Sequence, residues 1–249
     1  MKHFVAILSY CLCLAATAAE RHALTDYQLA YKLVQASIAA HGVGDAIAER
    51  GGITITLDGT FDLGTRLQGR TLASESTPIH ERITIEGDRV AYDLRWHNYT
   101  HSVQDLREIH EADGQVLFID KRNRGGGWMT NPPATDIAQR YARYLPQLLM
   151  TEALNRRSTL RHEGWVRFNG RNVETVSFVT ASDETLTLYF DRRSKMLLGA
   201  ATVIDMPLLG DVPMYWTWSG YDKRDDLRLP DTFESYLDGK LMKSVSMQV

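Results

Sequence analysis

The sequence predicts an α+β fold: a large curved antiparallel sheet, forming an open or half barrel, with helices covering its concave face. Apolar and polar residues alternate with a period of two in roughly a dozen short segments, as in half-buried strands. Turn signals such as Asp113-Gly114 and Asp238-Gly239 separate neighbouring segments and favour tight hairpins. Helical spacing replaces this alternation at residues 24–41 and about 134–157. Without a linker-like stretch or an internal repeat, residues 20–249 are expected to form one domain.

The N-terminal residues 1–19 have the pattern of a cleaved secretion signal. Met1-Lys2-His3 is a short basic start, an apolar run extends to Ala16, and small residues follow. We expect cleavage near Ala18 or Ala19, which makes the exported chain periplasmic. The apolar run is shorter than the roughly 20 residues that a membrane-spanning helix needs, so no transmembrane anchor is expected.

Composition excludes several kinds of chemistry. Both cysteines, Cys11 and Cys13, lie in the signal, so the mature chain has no thiol for a disulfide, a thiolate nucleophile or a zinc-thiolate site. The formal net charge of the whole chain is -3, which gives no electrostatic reason to expect nucleic acid as a partner.

The first half of the chain predicts a helix followed by a meander of strands. Apolar residues at helical spacing fill residues 24–41, and Gly42 follows them. From Ile53 the period changes to two, which predicts a long strand with Gly59 at a bend or bulge. Further alternating segments continue this meander to Lys121.

A second helix divides this meander from another. Asn131-Pro132-Pro133 ends the β pattern and precedes an apolar stripe of helical spacing. Pro146 lies inside that stripe, which predicts a kink or two shorter helices meeting near Leu145. From Trp165 onwards the period returns to two.

The motifs that suggest reactive chemistry are incomplete. The pairs His80-Glu81, His110-Glu111 and His162-Glu163 lack the second His of a zinc peptidase helix, and we interpret them as solvated strand residues. Residues 124–128, Arg-Gly-Gly-Gly-Trp, lack the Gly-Lys-Ser/Thr ending of a phosphate loop and predict a mobile hairpin or lid loop. No nucleophile elbow or spaced acid–base pair is recognisable. We therefore expect no catalytic residues, no metal site and no cofactor.

Residues 206–218 are unusually dense in Met, Pro and aromatic residues. Two interpretations remain open for this segment: an ordinary core with its rim, or the wall and mouth of a cavity for an apolar ligand. Strand alternation places Trp216 and Trp218 on one face, so the same interpretation applies to both.

Together these features resemble two known families. A signal, a helix running into the Gly-containing turn at 39–46, a long first strand and a helix between two meanders resemble the LolA and LolB type of periplasmic lipoprotein carrier. Residues 207–213, with Gly220-Tyr221 and Leu229-Pro230, are similar to the domain preceding the catalytic module of some exported metallo-β-lactamase-fold hydrolases.

The carrier resemblance implies a half-open barrel whose apolar concave face holds acyl chains. The leading hypothesis is therefore a non-catalytic carrier-like domain that binds an apolar small molecule or acyl chain. The residues expected to form the cavity wall are Leu145, Phe178, Leu188, Phe190, Met214, Trp216 and Trp218. A second hypothesis, from the hydrolase resemblance, is an accessory domain whose partner is a hydrolase module. The hydrolase signature His-x-His-x-Asp-His is absent from these residues, so this chain would then hold only the non-catalytic part. A third is an enzyme whose acid–base site is assembled only by folding.

Overall fold

Helices as well as strands are present in the part of the chain that the computed structural model describes. The described residues are 24–42, 51–62, 76–87, 89–97, 103–113, 115–130, 141, 143–206, 210–224 and 226–249. The predicted signal, with its cleavage site near Ala18 or Ala19, lies outside them. Helix α1 covers residues 24–41, as predicted, and helix α2 is Pro146–Asn155, followed by a 3₁₀ turn at Arg157–Thr159. Within these ranges, neither helix is long and apolar enough to cross a membrane.

Pro146 begins a helix and does not kink one, so the described residues fit the second predicted alternative, two shorter helices meeting near Leu145: Tyr141 is helical, residues 143–144 form a turn, and α2 follows. Leu145 has extended backbone angles, and Pro146 occupies the first turn of α2, where its missing N–H costs no intrahelical hydrogen bond. Residues 134–140, the first part of the predicted second helix, lie outside the described residues.

The strands form two meanders separated by α2. The first contains β1 (Ile53–Asp62), β2 (Ser76–Glu86), β3 (Arg89–His97), β4 (Val103–His110), β5 (Gln115–Asp120) and β6 (Gly125–Thr130). The second contains β7 (Arg161–Phe168), β8 (Arg171–Val179), β9 (Thr185–Asp191), β10 (Leu197–Met206), β11 (Gly210–Ser219), β12 (Asp222–Arg224), β13 (Leu227–Leu229), β14 (Thr232–Leu237) and β15 (Lys240–Gln248).

Two of these assignments differ from the sequence predictions. The glycine run predicted as a mobile hairpin or lid loop is strand β6, which pairs with β5. A Cβ on Gly126 would lie 2.4 Å from the Phe118 carbonyl oxygen, so the glycine allows close backbone approach. The short hairpin β12–β13 was not predicted, because three-residue strands carry almost no periodicity.

Thirteen of the described strands form one antiparallel sheet that does not close into a barrel. Their order is β6-β5-β4-β3-β2-β1-β15-β14-β11-β10-β9-β8-β7. The first and last strands therefore pair in the middle of the sheet, and β6 and β7 form its edges. Because α2 lies between β6 and β7 in the chain, the connection that contains it runs from one edge of the sheet to the other.

The helices pack on one face of this sheet, here called the inner face, which corresponds to the predicted concave face. Leu149 and Met150 of α2 are fully buried in one cluster with strand residues such as Leu188 and Phe178. Residues of α1, including Val34, belong to the same cluster. Burial of these large apolar side chains is the main contribution to stability.

Gly59 permits the central pairing of β1 with β15. It lies opposite Val245, and a Cβ at position 59 would come within 2.1 Å of the Ser244 carbonyl oxygen and 2.7 Å of the Val245 Cα. Both atoms belong to the backbone, so relieving the clash requires the two strands to separate.

Replacing Gly59 by Ala is expected to lower the free energy of unfolding by about 2 kcal/mol or more, because the added methyl group forces apart the two meanders. Urea denaturation of purified variants measures this. The control is Gly127→Ala in β6, where a Cβ meets no atom within 4 Å. Equal stability of the two variants would contradict the role given to Gly59.

His41 ends α1 in a buried position against the β12–β13 hairpin region. Its Nδ1 lies 2.8 Å from the Ser37 carbonyl oxygen, and its ring packs edge-on against Tyr221 with centroids 5.2 Å apart. Burial lowers the pKa of His41 to about 4, and the Arg228 charge acts in the same direction against the Ser37 hydrogen bond. The imidazole is therefore neutral in the folded protein at pH 7.

This pKa predicts acid destabilisation. His41 binds a proton near pH 6.5 in the unfolded chain but only near pH 4 in the folded protein. The contribution of neutral His41 to the free energy of unfolding is therefore fully present above pH 6.5 and is lost as the pH drops towards 4. Between pH 7 and 4.5 the loss due to His41 is about 2 kcal/mol. Denaturant unfolding of the wild type and of His41→Gln at both pH values measures it. A variant with the same pH dependence as the wild type would disprove the assignment.

Candidate functional site

A pocket of about 390 Å³ lies on the inner face, where both meanders meet the segment before α2. Its aromatic lining residues are Phe61, Tyr92, Tyr141, Tyr144, Trp216 and Phe233. Two methionines, Met214 and Met242, complete the apolar part. The polar lining residues are Glu81, Glu108, Arg143, Ser235 and Lys243. The pocket is thus amphipathic, whereas the sequence predicted a wholly apolar concave face.

A buried ion pair forms one wall of the pocket. Lys243 Nζ donates to Glu81 Oε2 at 2.7 Å, and the two side chains are only 9% and 3% exposed. Lys243 also donates to the Tyr144 hydroxyl oxygen at 2.8 Å, while the Tyr92 hydroxyl donates to Glu81 Oε1 at 2.7 Å. These four residues come from β2, β3, β15 and the segment before α2. We call them the ion-pair network.

The environment keeps the lysine charged and the two tyrosines neutral. Burial alone would lower the pKa of Lys243, but the nearby oxygens of Tyr144 and Glu81 outweigh it and raise that pKa above its usual value. Burial, reinforced by the Glu81 carboxylate, raises the pKa of Tyr92 and that of Tyr144. Each hydroxyl therefore keeps its proton, so Tyr92 can donate to the carboxylate.

A β-bulge directs two consecutive residues of β15 into the pocket lining. Ser235 pairs with Lys243 but Tyr236 pairs with Leu241, which leaves Met242 as an extra residue without a partner in β14. Successive residues of a regular strand point to opposite faces, whereas a bulge changes that direction locally. Both Met242 and Lys243 consequently line the pocket.

Two lining residues carry polar atoms without hydrogen-bond partners. Trp216 and Ser235 are directly opposite each other in β11 and β14. The indole Nε1 of Trp216 and the hydroxyl oxygen of Ser235 are buried, and neither has a partner among the described residues. An unpaired buried polar group costs free energy, so these two groups are candidates for contacts with a bound molecule.

Charged residues also stand at the margin of the pocket. Arg143 forms an ion pair with Glu184 in the turn between β8 and β9, and its guanidinium lies 5.6 Å from the Trp216 ring centroid. Glu108 accepts a hydrogen bond from His110 Nε2 at 3.0 Å and is one-third exposed. Within the described ranges, no three His, Cys, Asp or Glu side chains are grouped to hold a metal ion.

The structure separates the predicted cavity-wall residues into two groups. Met214 and Trp216 line the pocket, and Trp218 lines a neighbouring depression while its indole N–H donates to the Tyr144 carbonyl oxygen at 3.0 Å. The other predicted residues are fully buried in the hydrophobic core and do not line this pocket: Leu145, Phe178, Leu188 and Phe190.

Sequence reasoning missed the ion-pair network, although a signal for it exists. Glu81 occupies the apolar face of β2 between Ile79 and Ile83, and Lys243 occupies the apolar face of β15 before Val245. A charged residue at a position where the alternation expects an apolar one predicts that its side chain is buried against a partner of opposite charge. The interpretation of the His-Glu pairs as solvated holds for His80, which is exposed, but is wrong for Glu81 and His110, which are buried.

Comparisons with known proteins identify the fold. Neither a protein-family model nor a curated protein sequence matches the chain. A LolA superfamily protein from Nitrosomonas europaea is similar with a TM-score of 0.50 and 6% identity, over 88% of this chain and 91% of that one. A putative outer membrane lipoprotein-sorting protein domain from Vibrio parahaemolyticus is similar with a TM-score of 0.50 and 11% identity, over 89% and 90%.

The fold of this chain is therefore LolA-like, as the sequence resemblance implied. The comparisons give no support to the expected relation with exported metallo-β-lactamase-fold hydrolases. At these identities the likeness concerns the fold alone.

Replacing Lys243 by Met is expected to lower the free energy of unfolding by about 3–5 kcal/mol, because Glu81 keeps a buried charge without its partner. The double variant Glu81→Met/Lys243→Met is expected to lose far less than the sum of the single variants. A double-mutant cycle from urea denaturation measures this coupling.

The control is the exposed pair Arg89–Glu111, in which Arg89→Met is expected to cost less than about 1 kcal/mol. Additive effects of the Glu81 and Lys243 substitutions would show that the two side chains are not coupled.

Proposed function

We propose that this LolA-like domain is a non-catalytic carrier that binds a single-chain amphiphile, such as an acyl lipid, in the pocket on its inner face. The observation that supports this most directly is the composition of the pocket: aromatic and methionine side chains surround a volume of about 390 Å³ beside a satisfied polar network. Small-molecule pockets of proteins have volumes of about 300–1,000 Å³ and the same mixture of apolar walls with few polar groups.

The apolar part of the ligand would contact the methionines and aromatic rings. Met214 and Met242 have flexible, polarisable side chains that adapt to chains of different shape. Phe233 packs against Tyr144 with ring centroids 4.8 Å apart, which provides a continuous apolar wall beside the ion-pair network. Burying hydrocarbon there supplies about 25 cal/mol per Å² of apolar area.

The polar part of the ligand would satisfy the unpaired groups of Trp216 and Ser235. The indole N–H is a donor only, and the serine hydroxyl can also donate, so both groups favour a ligand with acceptor oxygens. An ester or carboxylate has such oxygens, whereas a pure hydrocarbon would leave both groups unpaired. This chemistry favours an acyl compound over an alkane or a terpene.

The same proposal places the protein in the periplasm as one domain covering residues 20–249. The secretion pattern of residues 1–19 supports export. A single domain is supported by the sheet, in which the first strand, β1, pairs with the last strand, β15. This central pair joins the two meanders, so neither meander contains it alone.

Replacing Met214 by Trp is expected to weaken binding of a fluorescent long-chain fatty acid at least about tenfold, because the larger ring occupies the pocket. Fluorescence titration of delipidated protein measures the dissociation constant. The matched control is Val203→Trp, which places the same ring on the opposite face of the adjacent strand β10, where Val203 is 59% exposed.

Absence of fatty-acid binding by the wild type would refute the proposal. Equal affinities of the two Trp variants would show that the fatty acid binds elsewhere.

A further inference from the structure

The turns at one end of the second meander carry a concentration of positive charge. Residues 165–172 and 191–195 together contain five basic residues and one acidic residue, although the whole chain has a formal charge of -3. These stretches belong to the hairpins β7–β8 and β9–β10. Antiparallel strands alternate in direction, so the β7–β8 and β9–β10 turns lie at one end of the sheet and the β8–β9 turn lies at the other. We call this surface the basic tip.

Four arginines of the basic tip are exposed and form no salt bridge within the described part of the chain. They are Arg167, Arg171, Arg192 and Arg193. Asp191 lies among them, and its carboxylate accepts hydrogen bonds from the backbone amides of Ser194 and Arg193. These hydrogen bonds lower the pKa of Asp191 and the Arg171 charge helps to lower it, so the carboxylate offsets one of the positive charges. The Glu174 carboxylate lies within hydrogen-bond distance of the His162 ring and the Lys195 ammonium group. The tip therefore retains a strong net positive charge.

An exposed tryptophan adjoins these arginines. Trp165, on the edge strand β7, is 52% exposed, and the Arg192 guanidinium carbon lies 5.2 Å from its ring centroid. The neighbouring Val166 is 41% exposed. Both side chains, with Arg167 and Asn172, line an open depression beside the edge strand. The arginine–indole contact is a favourable cation–π pair, and with Val166 it gives the tip an apolar surface next to its positive charges.

We propose that the basic tip docks the domain on membrane surfaces that contain anionic lipids. Arginines attract the negatively charged headgroups, and each arginine near the surface raises the membrane partition coefficient about fivefold. Tryptophan prefers the boundary between headgroups and hydrocarbon, where its ring is buried and its N–H stays hydrated. The charges project from two neighbouring turns at the end of the sheet, a geometry that suits an extended planar surface better than one acidic peptide.

The basic tip and the pocket are distinct sites. Arg143 at the pocket margin contacts Glu184 in the β8–β9 turn, which is the opposite end of these strands from the β9–β10 turn. Variants of the tip are therefore expected to leave fatty-acid affinity unchanged, and the docking proposal does not depend on the proposed pocket ligand.

Sedimentation of the purified protein with phosphatidylcholine vesicles, with and without phosphatidylglycerol, tests the proposal. The wild type is expected to bind only the anionic vesicles, and binding should weaken as salt concentration rises. Arg192→Gln/Arg193→Gln should reduce the partition coefficient roughly 25-fold. Trp165→Ala should reduce it as well, with circular dichroism confirming that each variant is folded.

The matched control is Arg82→Gln/Arg95→Gln, which removes two exposed arginines from the first meander and changes the net charge equally. Equal loss of binding in both double variants, or equal binding of the wild type to neutral and anionic vesicles, would overturn the proposal. A shift from dimer to monomer in the tip variants, without vesicle binding by the wild type, would identify the tip as a contact between two copies.

Discussion

The ion pair between Glu81 and Lys243 connects residues that are 162 positions apart in the chain. It joins β2 of the first meander to β15 of the second, and Tyr144 adds the segment that precedes α2. Removing two charges from water is costly, and the pair is tolerated only because each partner is hydrogen-bonded. Apolar contacts elsewhere allow small shifts of one strand or helix against another. The hydrogen bonds of this network instead require one arrangement of β2, β15 and the segment before α2, and so define the wall of the pocket.

The two halves of the inner face differ in how completely they are filled. Under α2 the core is closed, since Leu149, Phe178, Leu188 and Phe190 are all fully buried. Beside the ion-pair network the face remains open enough for a pocket, because polar residues and the β15 bulge replace tightly packed hydrocarbon there. The proposed binding site beside the network combines a rigid support with adaptable methionines, as a carrier of varied ligands would require.

Local periodicity made the elements predictable, and long-range pairing limited what could be predicted of the site. Alternation from Ile53 predicted β1 closely, and helical spacing predicted α1, because both signals lie within one segment. Met214 and Trp216 were predicted as cavity residues from the density of apolar residues around them. The partnership of Glu81 with Lys243 depends on the pairing of β1 with β15, which no local pattern encodes. The strand β6 was missed because glycine propensity indicates a loop, while its pairing with β5 decides the structure.

Photoaffinity labelling tests the central claim, that an acyl chain occupies the pocket beside the ion-pair network. A fatty acid carrying a diazirine would be bound to delipidated protein, irradiated, and located by mass spectrometry of the peptides. Binding in the pocket predicts adducts on the peptides that contain Met214 and Met242, and their loss when unlabelled fatty acid competes. Adducts confined to peptides of the outer face, or labelling that competitor does not reduce, would contradict it.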